Sequence, residues 1–375
     1  MASRIHWITD NETLARHCEA WQELPFVALD TEFMRVDTFY PQAALLQVCA
    51  AGEIYLIDPL SVTATKPLAE LFTHPSVVKV LHACGEDLEV FQRLIGVLPS
   101  PLFDTQLAAA YLNIGFSMGY SRLVQTVLGV ELEKGETRSD WLQRPLSELQ
   151  VRYAADDVSH LAELYQALEQ RLSEPKRAWI FEDGQELIAN ASRQVEPNEL
   201  YRDAKLAWKL APQQLAVMRA LCAWREVKAR ERDVPRNRIL KENSLWPLAR
   251  YQPKDLAALG RIDEMQPRTL RQDGQTLLSL IAEAASLPTA QWPQALPEPL
   301  PVEASALLKK LRAVGQAQAQ RLDIAPEVML RKKTLEAIIK SGYPTGPYSL
   351  PDSFRGWRRE LMGEALLKAL AGEDV

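Results

Sequence analysis

Long apolar runs, paired cysteines and a phosphate-binding loop are all missing from this sequence of 375 residues. No apolar run approaches the roughly 18 residues of a membrane helix, and the opening MASRIHWITDNE lacks the features of a signal peptide. The four cysteines include no C-x-x-C pair, and no histidine stands at zinc-ligand spacing, so neither a disulfide framework nor a zinc site is indicated. No G-x-x-x-x-G-K-[ST] loop occurs. We therefore expect a cytoplasmic protein with reduced thiols, without a membrane segment or a nucleotide cofactor, and a monomer by default.

Charge is divided unevenly along the chain. Residues 1–172 contain 12 Lys and Arg against 23 Asp and Glu, a net charge of −11, whereas the remaining residues contain 31 against 26, a net charge of +5. An acidic N-terminal part suits hard cations, and a basic C-terminal part suits a polyanion. The division predicts two different tasks for the two parts.

The first 172 residues alternate strand-like and helix-like patterns. AALLQVCA and EIYLID, joined by Ala51 and Gly52, predict a hairpin, and VVKVLHA predicts a further buried strand. Helical patterns fill the intervals between the strands. This alternation predicts an α/β domain with a mixed sheet.

The last helical pattern of this part is the longest, and it extends from about Glu148 to Leu172. Ser147 and Gln150 have the spacing of a capping box at its start. Its apolar residues begin at Leu149 and recur at helical spacing, which predicts an apolar face toward the core.

Beyond Glu174 the strand signals stop and the pattern is helical. ARERDVPRNRILKENSL and AQRLDIAPEVMLRKKTL resemble each other, and GQTLLSLI is echoed later by GEALLKAL. Two matches in the same order favour a duplicated small helical domain. The proline-rich stretch between them has the composition of a semi-rigid linker. We expect an N-terminal domain at 1–172, a helical connector at 173–209, helical domains at 210–288 and 302–375, and a linker at 289–301.

The stretch VALDTEF predicts a buried strand that carries two acids, Asp30 and Glu32. Because side chains alternate along a strand, both acids lie on one face, roughly 7 Å apart. Crowded like charges are costly unless a cation compensates them. The plainer interpretation is that a strand ending at a sheet edge exposes its last acids to water. Alone, the tripeptide favours that interpretation.

Further acids follow at informative places. Asp87 lies in the first turn of the helix after VVKVLHA, where the helix dipole alone favours a carboxylate. Tyr153 and Asp157, in YAADD, are four residues apart and share a helical face. A tyrosine on such a face is more often part of a core than of a site. The joint pattern of these residues with Asp30 and Glu32 is much more specific than any part of it.

With these residues the sequence resembles the DEDD superfamily of 3′-to-5′ exonucleases, in which D-x-E, a later Asp and a Y-x3-D motif build one site. LDTEF, LHACGEDLEVF, SDWLQRPL and YAADD resemble the ribonuclease D branch, and the two C-terminal segments resemble HRDC domains. The resemblance implies a ribonuclease H-like mixed-sheet exonuclease domain followed by two all-α HRDC-like domains.

The same resemblance assigns roles to five residues. Asp30, Glu32 and Asp157 would hold one divalent cation, Asp30 would bridge to a second, and Asp87 would support that second ion. Carboxylate oxygens without histidine suit Mg²⁺ or Mn²⁺ and suit zinc poorly. Tyr153 would orient the attacking water, since its ordinary pKa of about 10 makes it a weak base. The implied substrate is RNA with a free 3′ end, with tRNA precursors as the implied class.

Recruitment of RNA is expected to fall to the basic part of the chain. The first HRDC-like segment holds a run of basic residues around Trp224, which can neutralise phosphates while the tryptophan stacks on an unpaired base. The alternative is that these side chains solvate an exposed helix and that Trp224 belongs to the core. The candidate RNA contacts are Arg225, Lys228, Arg230, Arg232, Arg236, Arg238 and Lys241.

Two other functions stay open. A DNA 3′-to-5′ exonuclease would need the same carboxylates, because they do not sense the 2′-hydroxyl by themselves. A non-catalytic RNA-binding adaptor could keep the exonuclease fold as a scaffold. The adaptor is disfavoured because it has no need for all four acids and Tyr153.

Overall fold

A computed structural model of the chain describes residues 4–132 and 139–373. Six strands form one mixed sheet in the order β1-β4-β3-β2-β5-β6. The strands are β1 (Ile5–Ile8), β2 (Phe26–Met34), β3 (Gln42–Ala50), β4 (Glu53–Ile57), β5 (Val78–Leu81) and β6 (Leu102–Asp104). β1 is parallel to β4, and β5 is parallel to both β2 and β6. The predicted mixed sheet is confirmed.

The predicted hairpin is the antiparallel pair β3 and β4, in which Ala50 lies opposite Glu53. Both turn residues, Ala51 and Gly52, have positive φ, 52° and 81°. A two-residue hairpin turn with positive φ at both positions matches the twist of the flanking strands. Along each strand, successive side chains then point to opposite faces of the sheet.

Helices cover both faces of the sheet. They are α1 (Asn11–Trp21), α2 (Lys66–Thr73), α3 (Gly85–Leu94), α4 (Thr105–Tyr111), α5 (Tyr120–Leu128), α6 (Glu148–Glu169) and α7 (Glu174–Ser192). Ser147 and Gln150 form the predicted capping box of α6. Leu149, expected on the apolar face of this helix, is 57% exposed, so that assignment was wrong. Among the described residues, no helix combines the length and the apolar character needed to cross a membrane.

Two apolar clusters lie on opposite faces of the sheet. Ala28 and Val80 belong to the cluster that includes the buried side of α6. Val27 and Leu29 belong to the cluster that includes α1, α2 and α3. The period of two along β2 therefore decides which residues face α6.

The two C-terminal helical segments have a similar order of helices, except that α11 (Leu256–Gly260) of the first has no counterpart among the described residues of the second. The first has α8 (Pro212–Glu231), α9 (Arg236–Ile239), α10 (Glu242–Tyr251), α11 (Leu256–Gly260) and α12 (Pro267–Ala285), and the second has α13 (Ser305–Leu322), α14 (Pro326–Met329), α15 (Lys332–Lys340) and α16 (Gly356–Ala371). Asp233 and Asp323 have positive φ, 46° and 50°, beyond α8 and α13. At Gly274 and Gly363 an added Cβ would meet a leucine methyl at 2.9 and 2.8 Å. These matched positions agree with a duplication.

The chain forms two compact units, and neither is continuous in sequence. Unit 1 comprises residues 1–34, 43–192 and 300–375, and unit 2 comprises residues 35–42 and 193–299. Within unit 1, the amide of Ala325 donates to the carbonyl of Ala110, and the side chain of Asn113 donates to that of Asp323. The second helical segment therefore shares a compact unit with the sheet, an association that the order of segments along the chain does not predict.

Candidate active site

Three of the predicted carboxylates converge where β2 passes under α6. One ligand oxygen from each of Asp30, Glu32 and Asp157 lies within 4.8 Å of the other two. Asp30 and Glu32 share a face of β2 because they are two residues apart, and Asp157 comes from the helix packed against that face. The sequence pattern thus becomes a compact acidic cluster.

Asp87 joins the cluster from the side. It lies in the first turn of α3, and its Oδ1 accepts a hydrogen bond from the hydroxyl of Thr31 at 2.5 Å. β5 pairs with β2 only as far as Ala28, so the helix that follows β5 begins beside the unpaired continuation of β2. This geometry brings Asp87 to the middle residue of the D-T-E tripeptide.

Burial raises the pKa values of all four carboxyl groups, and repulsion from the other acids of the cluster adds to the shift at Asp30 and Glu32. Burial raises the pKa of Asp30 well above its ordinary value, and the nearby charges of Asp87 and Asp157 raise this pKa further. Burial, followed by the charge of Asp157, raises the pKa of Glu32 to about 8. Burial also raises the pKa values of Asp87 and Asp157 to about 7. Without a cation, the cluster holds protons at neutral pH.

The donor set fits hard divalent cations. The cluster offers carboxylate oxygens and no nitrogen or sulfur ligand, which suits Mg²⁺ or Mn²⁺ better than zinc. Burial first, and repulsion from neighbouring carboxylates second, raise the pKa values of Asp30 and Glu32, and a bound divalent cation would offset both effects. The arrangement is therefore able to bind divalent metal.

Tyr153 lies one helical turn before Asp157 on the same face of α6, and its phenol favours the charged form of that carboxyl group, which lowers the pKa of Asp157 against the effect of burial. Burial raises the pKa of the Tyr153 phenol, and the charge of Asp157 raises it further. The phenol therefore stays protonated at neutral pH and acts as a hydrogen-bond donor. Its ring lies 6.0 Å from the fully buried ring of Trp141.

Several supporting residues could not be identified from the sequence. The hydroxyl of Tyr120 donates to the main-chain carbonyl of Asp157, although Tyr120 belongs to α5. His82 contacts the hydroxyl of Thr105 at 2.9 Å and the carbonyl of Met118 at 3.1 Å. No spacing motif signals the Tyr120 contact because it joins two helices across 37 residues.

The SDWLQRPL segment is fixed by one arginine. Arg144 forms two hydrogen bonds with the carboxylate of Asp58, at 2.9 and 2.8 Å, and donates to the carbonyl of Ala44 at 2.6 Å. It also donates to the carbonyl of Trp141 at 2.8 Å. Arg144 thereby ties the buried tryptophan beside Tyr153 to β3 and to the end of β4.

Most of the seven basic residues predicted to bind RNA are paired within unit 2. Arg225 pairs with Glu242, Lys228 with Glu231, Arg230 and Arg236 with Glu226, Arg232 with Asp273, and Arg238 with Asp37. Arg230 and Arg236 also lie over the ring of Phe39, at 5.9 and 4.9 Å. Lys241 has no ion pair among residues 4–132 and 139–373. RNA contact by this set stays a prediction.

Comparisons with known proteins agree with the site. Residues 5–173 match the family model for a 3′-5′ exonuclease domain, and residues 214–281 match the HRDC domain. Ribonuclease D of Pseudomonas paraeruginosa is 64% identical, with 98% of each chain covered. The chain belongs to the ribonuclease D family. Ribonuclease D of Escherichia coli is 36% identical over 96% of each chain.

The structural comparison with ribonuclease D extends over the whole fold. The crystal structure of Escherichia coli RNase D, described as an exoribonuclease involved in structured RNA processing, superposes with a TM-score of 0.90 at 35% identity. The match covers 98% of this chain and 99% of the other. The α/β exonuclease domain and the helical HRDC region predicted from the sequence are thus confirmed as the ribonuclease D architecture.

Proposed function

We propose that this chain is a 3′-to-5′ exoribonuclease that hydrolyses phosphodiester bonds at RNA 3′ ends and releases nucleoside 5′-monophosphates. The observation that carries the proposal is the convergence of Asp30, Glu32 and Asp157 within 4.8 Å, in a member of the ribonuclease D family. Three crowded acids with raised pKa values are unfavourable for a scaffold alone, which argues against an adaptor.

The proposed site holds two divalent cations, Mg²⁺ or Mn²⁺. Asp30, Glu32 and Asp157 would hold one, while Asp30 and Asp87 would hold the other. When bound, such a pair lowers the pKa of the attacking water and neutralises charge on the leaving 3′ oxygen. Deprotonation of the four carboxyl groups accompanies metal binding, so binding strengthens as pH rises.

Tyr153 is proposed to orient the attacking water. Its phenol remains protonated, because burial raises its pKa. A phenol O–H directed at the site can hold a water by its oxygen while leaving the proton of that water to another acceptor. Tyr153 therefore contributes geometry and does not serve as the base.

The experiment is degradation of a 3′-end-labelled RNA with a chelator, with Mg²⁺ and with Mn²⁺. We expect the label to appear in mononucleotide from the first turnovers, with no release under chelation and none from an RNA that ends in a 3′-phosphate. Asp30→Asn should abolish release, and Glu163→Gln, on an outer part of α6, should not. Metal-independent release, or equal release from the 3′-phosphate RNA, would reject the proposal.

The choice of RNA over DNA requires its own comparison. Matched RNA and DNA oligonucleotides with free 3′ ends should differ in kcat/KM in favour of RNA, since the 2′-hydroxyl distinguishes the two chains. Equal values would favour the DNA exonuclease. Full function in the Asp30→Asn variant would favour the adaptor.

We further propose tRNA precursors as the substrate class and the monomer as the acting species. The proposal draws on the description of the Escherichia coli relative as an enzyme of structured RNA processing. All four cysteines are free and buried, which fits work in the reducing cytoplasm. Trimming of a tRNA with extra 3′ residues, followed by arrest at the mature end, would support this class. Digestion into the acceptor stem would contradict it.

A further inference from the structure

Gln47, in the middle of β3, is fully buried, and its amide has no hydrogen-bond partner among the residues that the structure describes. Its exposed fraction is 0%, and neither Oε1 nor Nε2 hydrogen-bonds any of the described residues. An amide can make four hydrogen bonds, and buried polar side chains nearly always make at least one. Leucine would fit an apolar strand interior better, so the amide indicates a partner that is not a protein group.

The alternation of β3 decides which way Gln47 faces. Leu45 and Cys49, two residues to either side, belong to the same apolar cluster as Ala28. Asp30 is two residues beyond Ala28 on β2 and therefore shares its face. Gln47 thus lies on the side of the sheet that carries the acidic cluster.

β2 and β3 are neighbours in the sheet, and only residues 35–41 connect them. A connection this short joins antiparallel strands, because a parallel pair requires a crossover of about a dozen residues or more. Facing side chains on antiparallel neighbours have Cβ atoms roughly 4.5 to 5.5 Å apart. The same face is covered by α6, whose Ala154 and Val158 belong to the cluster around Ala28. The amide of Gln47 is therefore enclosed between β3 and the helix that carries Tyr153 and Asp157.

We propose that Gln47 is a positioning residue of this exonuclease, whose amide binds an internal water that hydrogen-bonds the carboxylate of Asp30. The inference rests on the proposed function for its catalytic consequence. A water accounts for an amide that bonds none of the described side chains or main-chain groups, because a water can bridge polar groups that do not touch. A carboxylate held on one oxygen by this water keeps its other oxygen oriented toward the cluster.

Gln47→Met separates a positioning role from a structural one, because methionine keeps the approximate shape of the side chain and removes the amide, leaving only a weakly accepting sulfur. We expect the metal-free variant to melt at the same temperature as the wild type or at a higher one. On a short RNA, kcat should fall about 10- to 100-fold with KM little changed, and half-saturation should need more Mn²⁺. Leu46→Met, in the same strand but on the other face, should keep the wild-type kcat.

The outcomes distinguish this inference from the proposed function. An inactive wild type would reject the function, whereas an active wild type with an equally active Gln47→Met variant would overturn the role of Gln47 alone. A crystal structure of the metal-free wild type tests the water without any activity and without a variant that has to fold. A water bonded to both Gln47 and Asp30 supports the inference, and an amide without water overturns it.

Discussion

Tyr153 and Asp157 lie one turn apart on the same face of α6, and the phenol favours the charged form of the Asp157 carboxyl group. This arrangement places the proposed water-orienting group and a proposed metal ligand on one rigid helix. A site built on a helix keeps its geometry better than a site built on a loop.

Tyr153→Phe should therefore preserve the fold and remove much of the activity. We expect kcat on a short RNA to fall by about 10²-fold, because a misplaced nucleophile loses that order of rate. Tyr165→Phe is the matched control, since Tyr165 lies on the same helix and packs its ring on Phe26 and Phe103. Single-turnover degradation measures both variants. An equal loss in the two would assign the effect to the helix and not to the phenol.

The acidic cluster should make the metal-free protein less stable as pH rises. The pKa values of Asp87 and Asp157 are about 7 in the folded protein and about 4 in the unfolded chain, so between these limits the folded state binds more protons. Each extra bound proton lowers the free energy of unfolding by about 1.4 kcal/mol per pH unit across that window. Thermal unfolding at pH 5 and pH 7, with a chelator, measures the effect.

Asp157→Asn is the control for this pH dependence, because it removes one group of the cluster and should flatten the decline. Other buried groups also titrate in this range, such as Lys79, whose pKa burial lowers to about 7. They are present in both proteins, so the difference between wild type and variant isolates the contribution of Asp157. Saturating Mg²⁺ or Mn²⁺ should raise the melting temperature of the wild type at pH 7 more than that of the variant. An unchanged melting temperature at saturating metal would contradict the proposed metal site.

The ion pair between Arg358 and Asp183 is expected to stabilise unit 1. The guanidinium donates to both carboxylate oxygens, at 2.6 and 2.7 Å, and Tyr111 donates to the same carboxylate at 2.7 Å. Arg358→Met would leave a buried charge without its partner, which costs about 3 kcal/mol of unfolding free energy. Urea unfolding should show the loss. Lys368→Met, which breaks an exposed pair, should leave the midpoint where it is.

The pairing of the basic residues makes a distinction among the predicted RNA contacts. Lys241→Ala should lower RNA affinity and reduce the slope of log affinity against log salt by about one, the value for one lost phosphate contact. Arg232 is held by Asp273 at 2.9 and 2.6 Å, so Arg232→Met should change that slope less. RNA affinity measured across a series of salt concentrations tests both variants. Equal slopes for Lys241→Ala and the wild type would remove Lys241 from the interface.

The sequence was sufficient for features that depend on local pattern. The hairpin after Ala50, the capping box at Ser147 and the strand that carries Asp30 were predicted because turn chemistry, capping and alternation act over a few residues. β1 and β6 were not predicted: β1 (IHWI) has only two aliphatic residues and β6 has only 3 residues, whereas β5, also of 4 residues, lies in the nearly continuous apolar run VVKVLHA. The acids were grouped by resemblance, and their separate signals were weak.

The remaining features depend on contacts between distant parts of the chain. Thr31 reaches Asp87 across 56 residues, and Arg232 reaches Asp273 across 41. The unpartnered amide of Gln47 is likewise invisible in AALLQVCA, where the glutamine looks like one polar residue in a strand. The sequence shows that these side chains are present, but it does not show which residues they contact in the fold. The division of the chain into five segments stays a prediction.

The composition of unit 1 has a consequence for synthesis on the ribosome. The rings of Trp179 and Trp357 are stacked, with their centroids 4.6 Å apart. The ring of Trp179 therefore lacks this partner until the ribosome has synthesised the segment that contains Trp357. Residues 193–299, which belong to the other unit, emerge in between. We therefore expect the nascent exonuclease domain to expose an aromatic surface until α16 has left the exit tunnel. Chaperones would bind that surface during this interval.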